Sequence, residues 1–179
     1  MQLVDAALEI LTADGVAGLT MKSIADRTGG SAAGMYRHVE GKTQILDLCA
    51  GALMERIPTP QVGGGKWADA MRTYAWSWWG AVKPHPWSVP FLLRRGPDDV
   101  VNQPHFAFFH AAFRDAGFSE SEARLAIGFF VSFLVGSLVA HANVQRGASA
   151  AGLHRAEDHF SYGLEGVLRA IEDARVVRV

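Results

Sequence analysis

Two groups of residues have the types and spacing to do chemistry. In the first, Thr20, Lys22, Ser31, Arg37 and Lys42 bring hydroxyls, ammonium groups and a guanidinium into one short stretch. Thr20 and Ser31 stand where helices can begin, and the free N–H groups of a helix N-terminus attract phosphate. Lys22 and Lys42 supply charge to a nucleic-acid backbone. Arg37 can pair bidentately with guanine or grip phosphate. Ala32 and Ala33 offer bases only an apolar contact, to a thymine methyl. In the second group, all five tryptophans and nine of the ten phenylalanines lie between Trp67 and Phe133. His85, His110, His141 and Asn143 interleave with them or follow them. Polar groups among aromatics line small-molecule pockets. An apolar or aromatic ligand fits among Trp78, Trp79, Trp87, Phe91, Phe109, Phe113 and Phe133, with His85 beside it and His110 or Asn143 to orient it. A packed core with satisfied histidines is the other reading of the same residues.

The elements that position the first group are short helices. Leu3, Val4, Ala7, Leu8 and Leu11 form one helical stripe over residues 2–14, ended by Gly15. Thr20 caps a helix over Met21–Thr28, with Ile24 and Ala25 inward. Gly29-Gly30 supplies the tight turn. Ser31 caps the next helix, whose narrow buried face is Met35 and Val39, and Gly41-Lys42 ends it. This is the outline of a helix-turn-helix. A further helix over 42–57 turns Ile45, Leu46, Cys49, Leu53 and Ile57 inward.

Pro58-Thr59-Pro60 and Gly63-Gly64-Gly65 then mark a boundary or loop. The second group rides on a helix over 66–82, a short one over 87–95, and one over 103–116. Trp76 lies opposite Trp67 on its helix, so it must meet solvent, a neighbouring helix or a partner. Ser119 and Glu122 form a capping box for a long helix over 119–145. Gly128, Ser132 and Gly136 recur every four residues there, which lets another helix backbone approach. GASAAG breaks the chain before a last helix over 153–174. With no β alternation, the chain reads as all-α, about nine helices. A head over residues 1–50 carries the helix-turn-helix, and a body over 51–179 binds ligand and dimerises.

Composition bounds the function. The chain has 179 residues, 49% of them hydrophobic, and a formal net charge of −1. Residues 1–57 hold five Lys/Arg against seven Asp/Glu, a poor balance for a DNA head. Only the 20–42 window is positive. The single cysteine, Cys49, excludes an internal disulfide and fits a reducing cytoplasm. MQLVDAALEIL carries Asp5 and Glu9 inside its apolar pattern, unlike a signal peptide. Residues 125–145 carry no formal charge. The strongly apolar part is about 15 residues, short of the roughly 20 that span a bilayer, so no membrane partner is expected. His105/His110 and His154/His159 are each five apart and do not share a helix face. No metal, cofactor or catalytic set is expected, and Cys49 reads as packing.

TMKSIADRTGGSAAGMYRHVEGKTQIL resembles the DNA-reading head of TetR-type transcriptional repressors. The matching positions are Thr20, Ile24-Ala25, Tyr36-Arg37-His38-Val39 and Gly41-Lys42. The resemblance implies that Tyr36 and His38 contact phosphate. KPHPWSVPFLL, then FRDAGFSESEARLAIGFFVSFLVGSLVAH, is similar to the ligand-binding domain of the tetracycline-repressor branch. That branch's magnesium–tetracycline residues do not carry over to this chain. The resemblance implies a homodimer through the last two helices, a double-stranded DNA operator and a small-molecule effector. A ligand-carrying helical protein, or an enzyme on the same fold without DNA binding, is the alternative.

Overall fold

The computed structural model describes the backbone of residues 2–30, 34, 39–64, 66–145 and 150–176. It describes their side chains except at 2, 143–145, 150–155 and 175–176. Eight α-helices and one 3-10 turn make up the regular structure of these residues. They are α1 (Gln2–Gly18), α2 (Met21–Thr28), α3 (Lys42–Glu55), α4 (Trp67–Val82), the 3-10 turn Pro86–Ser88, α5 (Val89–Leu92), α6 (Gln103–Asp115), α7 (Glu120–Gln145) and α8 (Ala150–Val176). The all-α expectation holds. The expected helix over Ser31–Val39 lies outside the described residues apart from Gly34, which is helical, and Val39, which is buried.

The expected break over Gly15-Val16-Ala17-Gly18 appears as a kink: Gly15 takes φ 66°, outside the helical range, and a short helical turn then runs to Gly18. Two boundaries differ from the sequence reading. The expected helix over 87–95 is a 3-10 turn followed by a single α-turn, because Pro86 and Pro90 each lack the N–H a longer helix needs. The last helix starts at Ala150, three residues early, which suits alanine's high helix propensity.

Two buried clusters organise the helices. The first gathers Ala7, Leu8, Ile10 and Leu11 of α1, Ile24 and Ala25 of α2, Val39, and Ile45, Leu46, Cys49, Ala50 and Leu53 of α3. Phe91 of α5 completes it. The second begins at Met54 and Ile57 and takes in the inner faces of α4, α6, α7 and α8. One helix, α3, therefore serves both cores, and the division falls between Leu53 and Met54. Burial pushes the Cys49 thiol up to about 12, with Arg56 opposing and Asp5 adding to the shift. A thiol held neutral in this way is packing.

In the larger core α7 is central, packing on α4, α6 and α8. Over Glu120–Ala142 it is also long and apolar enough to cross a membrane by length and composition, and 39% of that stretch is buried. Its cap is the expected one. The Ser119 N–H donates to Glu122 Oε2 at 2.8 Å, and the Glu122 N–H donates to Ser119 Oγ at 3.3 Å. The glycine stripe is not used inside the subunit. A Cβ on Gly128 or Gly136 would meet nothing within 4 Å. Close approach occurs instead at Gly163 of α8, where an added Cβ would lie 2.6 Å from Cε2 of Phe133. The Phe133 ring also stacks on Phe160, centroids 5.5 Å apart. Gly163→Ala should therefore destabilise the body by about 1–3 kcal/mol, as overpacking does. Urea unfolding checks this. An unchanged midpoint would mean that Phe133 turns aside freely.

Candidate nucleic-acid interface and effector site

The described part of the head is fixed by the caps of α2. The Ser23 N–H donates to Thr20 Oγ1, and the Thr20 N–H donates to Ser23 Oγ, both at 2.9 Å. The reciprocal pair makes a capping box with serine in the place usually held by Glu or Gln. At the other end of α2, Gly29 takes the left-handed conformation (φ 68°, ψ 16°), and its N–H donates to the Ala25 carbonyl. Gly30 N–H donates to the same carbonyl at 3.1 Å. The turn of a helix-turn-helix thus leaves α2 at a fixed angle. Lys22 stands exposed in the first turn of α2.

The remaining basic residues of the described head are tied to the protein. Arg27 pairs with Glu9 at 3.3 Å and Arg56 with Asp5 at 2.7 Å. Lys42 Nζ donates to the Val16 carbonyl, fastening the start of α3 to the α1–α2 connection. An ammonium has three donors, so Lys42 keeps two for another partner. Ser31, Ala32, Ala33, Tyr36, Arg37 and His38 lie outside the described residues.

The expected effector residues divide among three places. Trp79, Phe133 and His141 gather around Phe160: Trp79 stacks on it at 4.3 Å and 14°, and His141 meets Trp79 edge-on at 5.3 Å. Trp76, half-exposed, also meets Phe160 edge-on, at 5.1 Å. Phe109 and Phe113 lie deeper. Phe109 packs on Tyr74 at 4.8 Å, Phe113 between Trp67 and Phe118 at 5.2 and 5.0 Å, and Trp78 is buried in the same core. Trp87 and Phe91 pack against the head cluster, with His85 5.9 Å from Trp87. His110 stands apart, in a surface hollow with Arg114, Phe118, Glu120 and Ala123. Asn143 lies on α7, its side chain outside the description. Desolvation lowers the pKa of His85 and His141. The charge of Arg56 adds to the first shift; that of Lys83 adds to the second and that of Glu157 opposes it.

The head matches one family. Residues 3–49 fit the bacterial regulatory proteins of the tetR family. That match covers the head alone. An HTH-type transcriptional regulator of Saccharopolyspora erythraea is 32% identical over 159 residues, covering 87% of this chain and 65% of that protein. The class D tetracycline repressor protein of Escherichia coli is 27% identical over 147 residues, covering 76% of this chain and 63% of that one. The chain thus spans just under two thirds of these relatives' lengths. The TetR family protein ActR of Streptomyces coelicolor, in complex with actinorhodin, shares the fold. Its TM-score is 0.76 at 19% identity, covering 97% of this chain and 96% of that one.

One feature of the chain has no counterpart in the sequence reading. Arg95, on the loop after α5, reaches back to α3. Its Nη2 donates to Asp47 Oδ2 at 2.8 Å and to the Asp47 carbonyl at 3.1 Å. Its Nη1 donates to both Asp99 oxygens at 3.1 Å. The Val101 N–H donates to Asp99 Oδ1 at 2.9 Å, and Asn102 Nδ2 donates to the Arg95 and Gly96 carbonyls. The Val101 N–H and then the Arg95 guanidinium hold the Asp99 carboxyl below its usual range. Gly51 packs beside the contact: a Cβ there would touch Arg95 Nη2 at 3.4 Å and Val101 Cγ2 at 3.6 Å, ordinary van der Waals distances. The Arg95/Asp99 spacing of four was legible in the sequence, but the partner on α3, 48 positions away, was not. Arg95→Gln and Asp47→Asn should each destabilise the chain, and the double variant should cost less than their sum. Neighbours of this kind couple by about 0.5–3 kcal/mol. Strict additivity in a double-mutant cycle of urea midpoints would mean that the pair holds nothing.

Proposed function

We propose that the chain is a ligand-responsive transcriptional repressor. It binds a palindromic DNA operator as a homodimer in the cytoplasm and is released by a small apolar or aromatic effector. Residues 1–50 form the DNA-binding head and residues 51–179 the ligand-binding and dimerising body. The single observation that carries this is α2, capped at both ends and closed by the glycine turn that a helix-turn-helix needs, packed with α3, the helix that also roots the aromatic body. The relatives named as a transcriptional regulator and a tetracycline repressor, and a fold neighbour solved with actinorhodin, support the same reading.

On DNA, the N-termini behind Thr20 and Ser31 take phosphate. Lys22, Lys42, Tyr36 and His38 hold the backbone. Arg37 reads guanine or grips phosphate, and Ala32 and Ala33 meet thymine methyls. The described head offers few free cations, so affinity off the operator is modest. With Lys22, Arg37 and Lys42 engaged in each of two heads, log affinity should fall against log salt with a slope of about −5. Titrating the DNA upstream of the protein's own gene across salt concentrations measures it. A flat response removes the phosphate assignments. Absence of sequence-preferring binding at any salt leaves a ligand-carrying helical protein or an enzyme instead.

The dimer face lies on α7 and α8. Leu125 is 66% exposed, Phe129 50% and Tyr162 86%. Beside them run Gly128, Ser132 and Gly136, all exposed and close to no other helix. A groove of about 260 Å³ between the two helices is lined by Phe118, Leu125, Ala126, Phe129, Ala170 and Ile171. Apolar surface rimmed by small residues fits the self-complementary contact of a twofold four-helix interface. Sedimentation should find a dimer at micromolar concentration. Leu125→Glu with Phe129→Glu should give monomers that bind the operator far more weakly, because two half-sites about one DNA turn apart are then read singly. A wild-type monomer at that concentration sinks the interface.

A further inference from the structure

The head is short of cations, but the body holds one against it. Arg94 and Arg95 follow α5, a short helix that packs on α3. The two arginines differ in what they touch. Arg95, its side chain 12% exposed, donates to Asp47 and to Asp99 and so takes up both carboxylates. Arg94 is 61% exposed, and its Nη2 stands 3.9 Å from Asp47 Oδ1, too far for a hydrogen bond. Its guanidinium lies over the Phe91 ring, 5.0 Å from the centroid, an attraction between the cation and the ring face. Phe91 is buried in the head cluster. The ring therefore holds an exposed positive charge of the body against the head.

That charge lies near the start of α3. An open hollow of about 780 Å³ runs from Gly41, Lys42 and Thr43 to Arg94 and Arg95. Asp47 is five residues into α3 from Lys42, about 8 Å along the helix axis, and helix side chains lean toward the N-terminus. The Arg94 guanidinium thus stands within about one Debye length of the start of α3, roughly 10 Å at 0.1 M salt. The acids of the hollow are Glu40, Asp47 and Asp99, and its cations are Lys42, Arg94 and Arg95. Without Arg94 the balance turns negative beside Lys42, and a phosphate there is repelled.

We infer that Arg94 grips the phosphate backbone of duplex DNA beside Lys42, so that the body as well as the head touches the nucleic acid; this rests on the repressor reading above. A contact to phosphate positions the protein and reads no base. Because Arg94 rides on the loop after α5, its grip depends on where that loop sits against α3.

The test titrates the full chain with two duplexes, the DNA upstream of its own gene and a mixed-sequence duplex of equal length, across salt concentrations. Each phosphate contact adds about 0.9 to the slope of log affinity against log salt. With Arg94 engaged in both subunits the slope steepens from the −5 or so set by Lys22, Arg37 and Lys42 to about −7. Arg94→Gln should return it to about −5 and weaken both duplexes alike, roughly tenfold or more at 0.1 M salt. Arg94→Lys keeps the charge and should keep the slope. Lys66→Gln removes an exposed cation in the hollow between the start of α4 and the end of α8 and should leave the slope unchanged. An unchanged slope in Arg94→Gln, an equal loss in Lys66→Gln, or a loss in Arg94→Lys as large as in Arg94→Gln overturns the inference while the repressor reading stands. If the wild-type chain binds neither duplex at any salt, the repressor reading falls and the Arg94 contact with it.

Discussion

One helix carries two cores, and the rest of the molecule depends on that constraint. Along α3, Cys49 and Leu53 are buried with α1 and α2, whereas Met54 and, just beyond it, Ile57 are buried with α4 and the body. Protein interiors are close-packed and do not deform continuously. A shift of the body's elements against the end of α3 must therefore be taken up as a rigid movement of α3, and the head moves with it. Arg95 adds a second fixing point at Asp47, near the start of the same helix. With Phe91 inserted into the head cluster, the loop around α5 touches α3 at several places. The end of α4 and the Pro86–Ser88 turn run straight into that loop.

Much of this was legible from local rules. The Thr20 cap, the Gly29 turn, the inward pair Ile24 and Ala25, and the Ser119/Glu122 box all follow from interactions within four residues of sequence. Hydrophobic period placed the inner faces of α1, α3 and α4 for the same reason. What escaped depends on distance in sequence. The Arg95–Asp47 pair joins residues 48 apart, and the Phe133–Gly163 contact joins residues 30 apart. The pattern Gly128, Ser132, Gly136 announced a close helix approach, but within the chain a Cβ on either glycine would meet nothing within 4 Å. The aromatic-rich stretch read as one pocket, yet its members fall in three places, because adjacent residues on a helix point to different faces. Composition cannot separate Trp79 and Trp87, whose donors are unmet, from Trp67, whose donor has found Glu172.

The head's charge illustrates how the fold changes a count into a surface. Residues 1–57 are net acidic, but the acids do not act freely: Glu9 and Asp5 each hold an arginine. These exposed pairs contribute little to stability. Their effect is to remove two cations from the pool available to phosphate while neutralising two carboxylates that would repel it. What remains at the start of α2 is Lys22 and the helix N-terminus itself. Under the repressor proposal, affinity built on so few charges leaves the weight of recognition on spacing between two heads, and so on the dimer.

Natural cores satisfy their polar groups, and departures cluster where function needs them. Measured that way, the body is uneven. Arg72 is anchored by both Asp69 and Glu165, and Trp67 by Glu172, so the end of the body formed by the start of α4 and the end of α8 is fully paired. The opposite end of α4 carries Trp79, His85 and Trp87 with ring nitrogens unmet. A core optimised only for stability would place phenylalanine at 79 and 87, since replacing a buried unmet donor by an apolar ring of similar shape removes its desolvation cost.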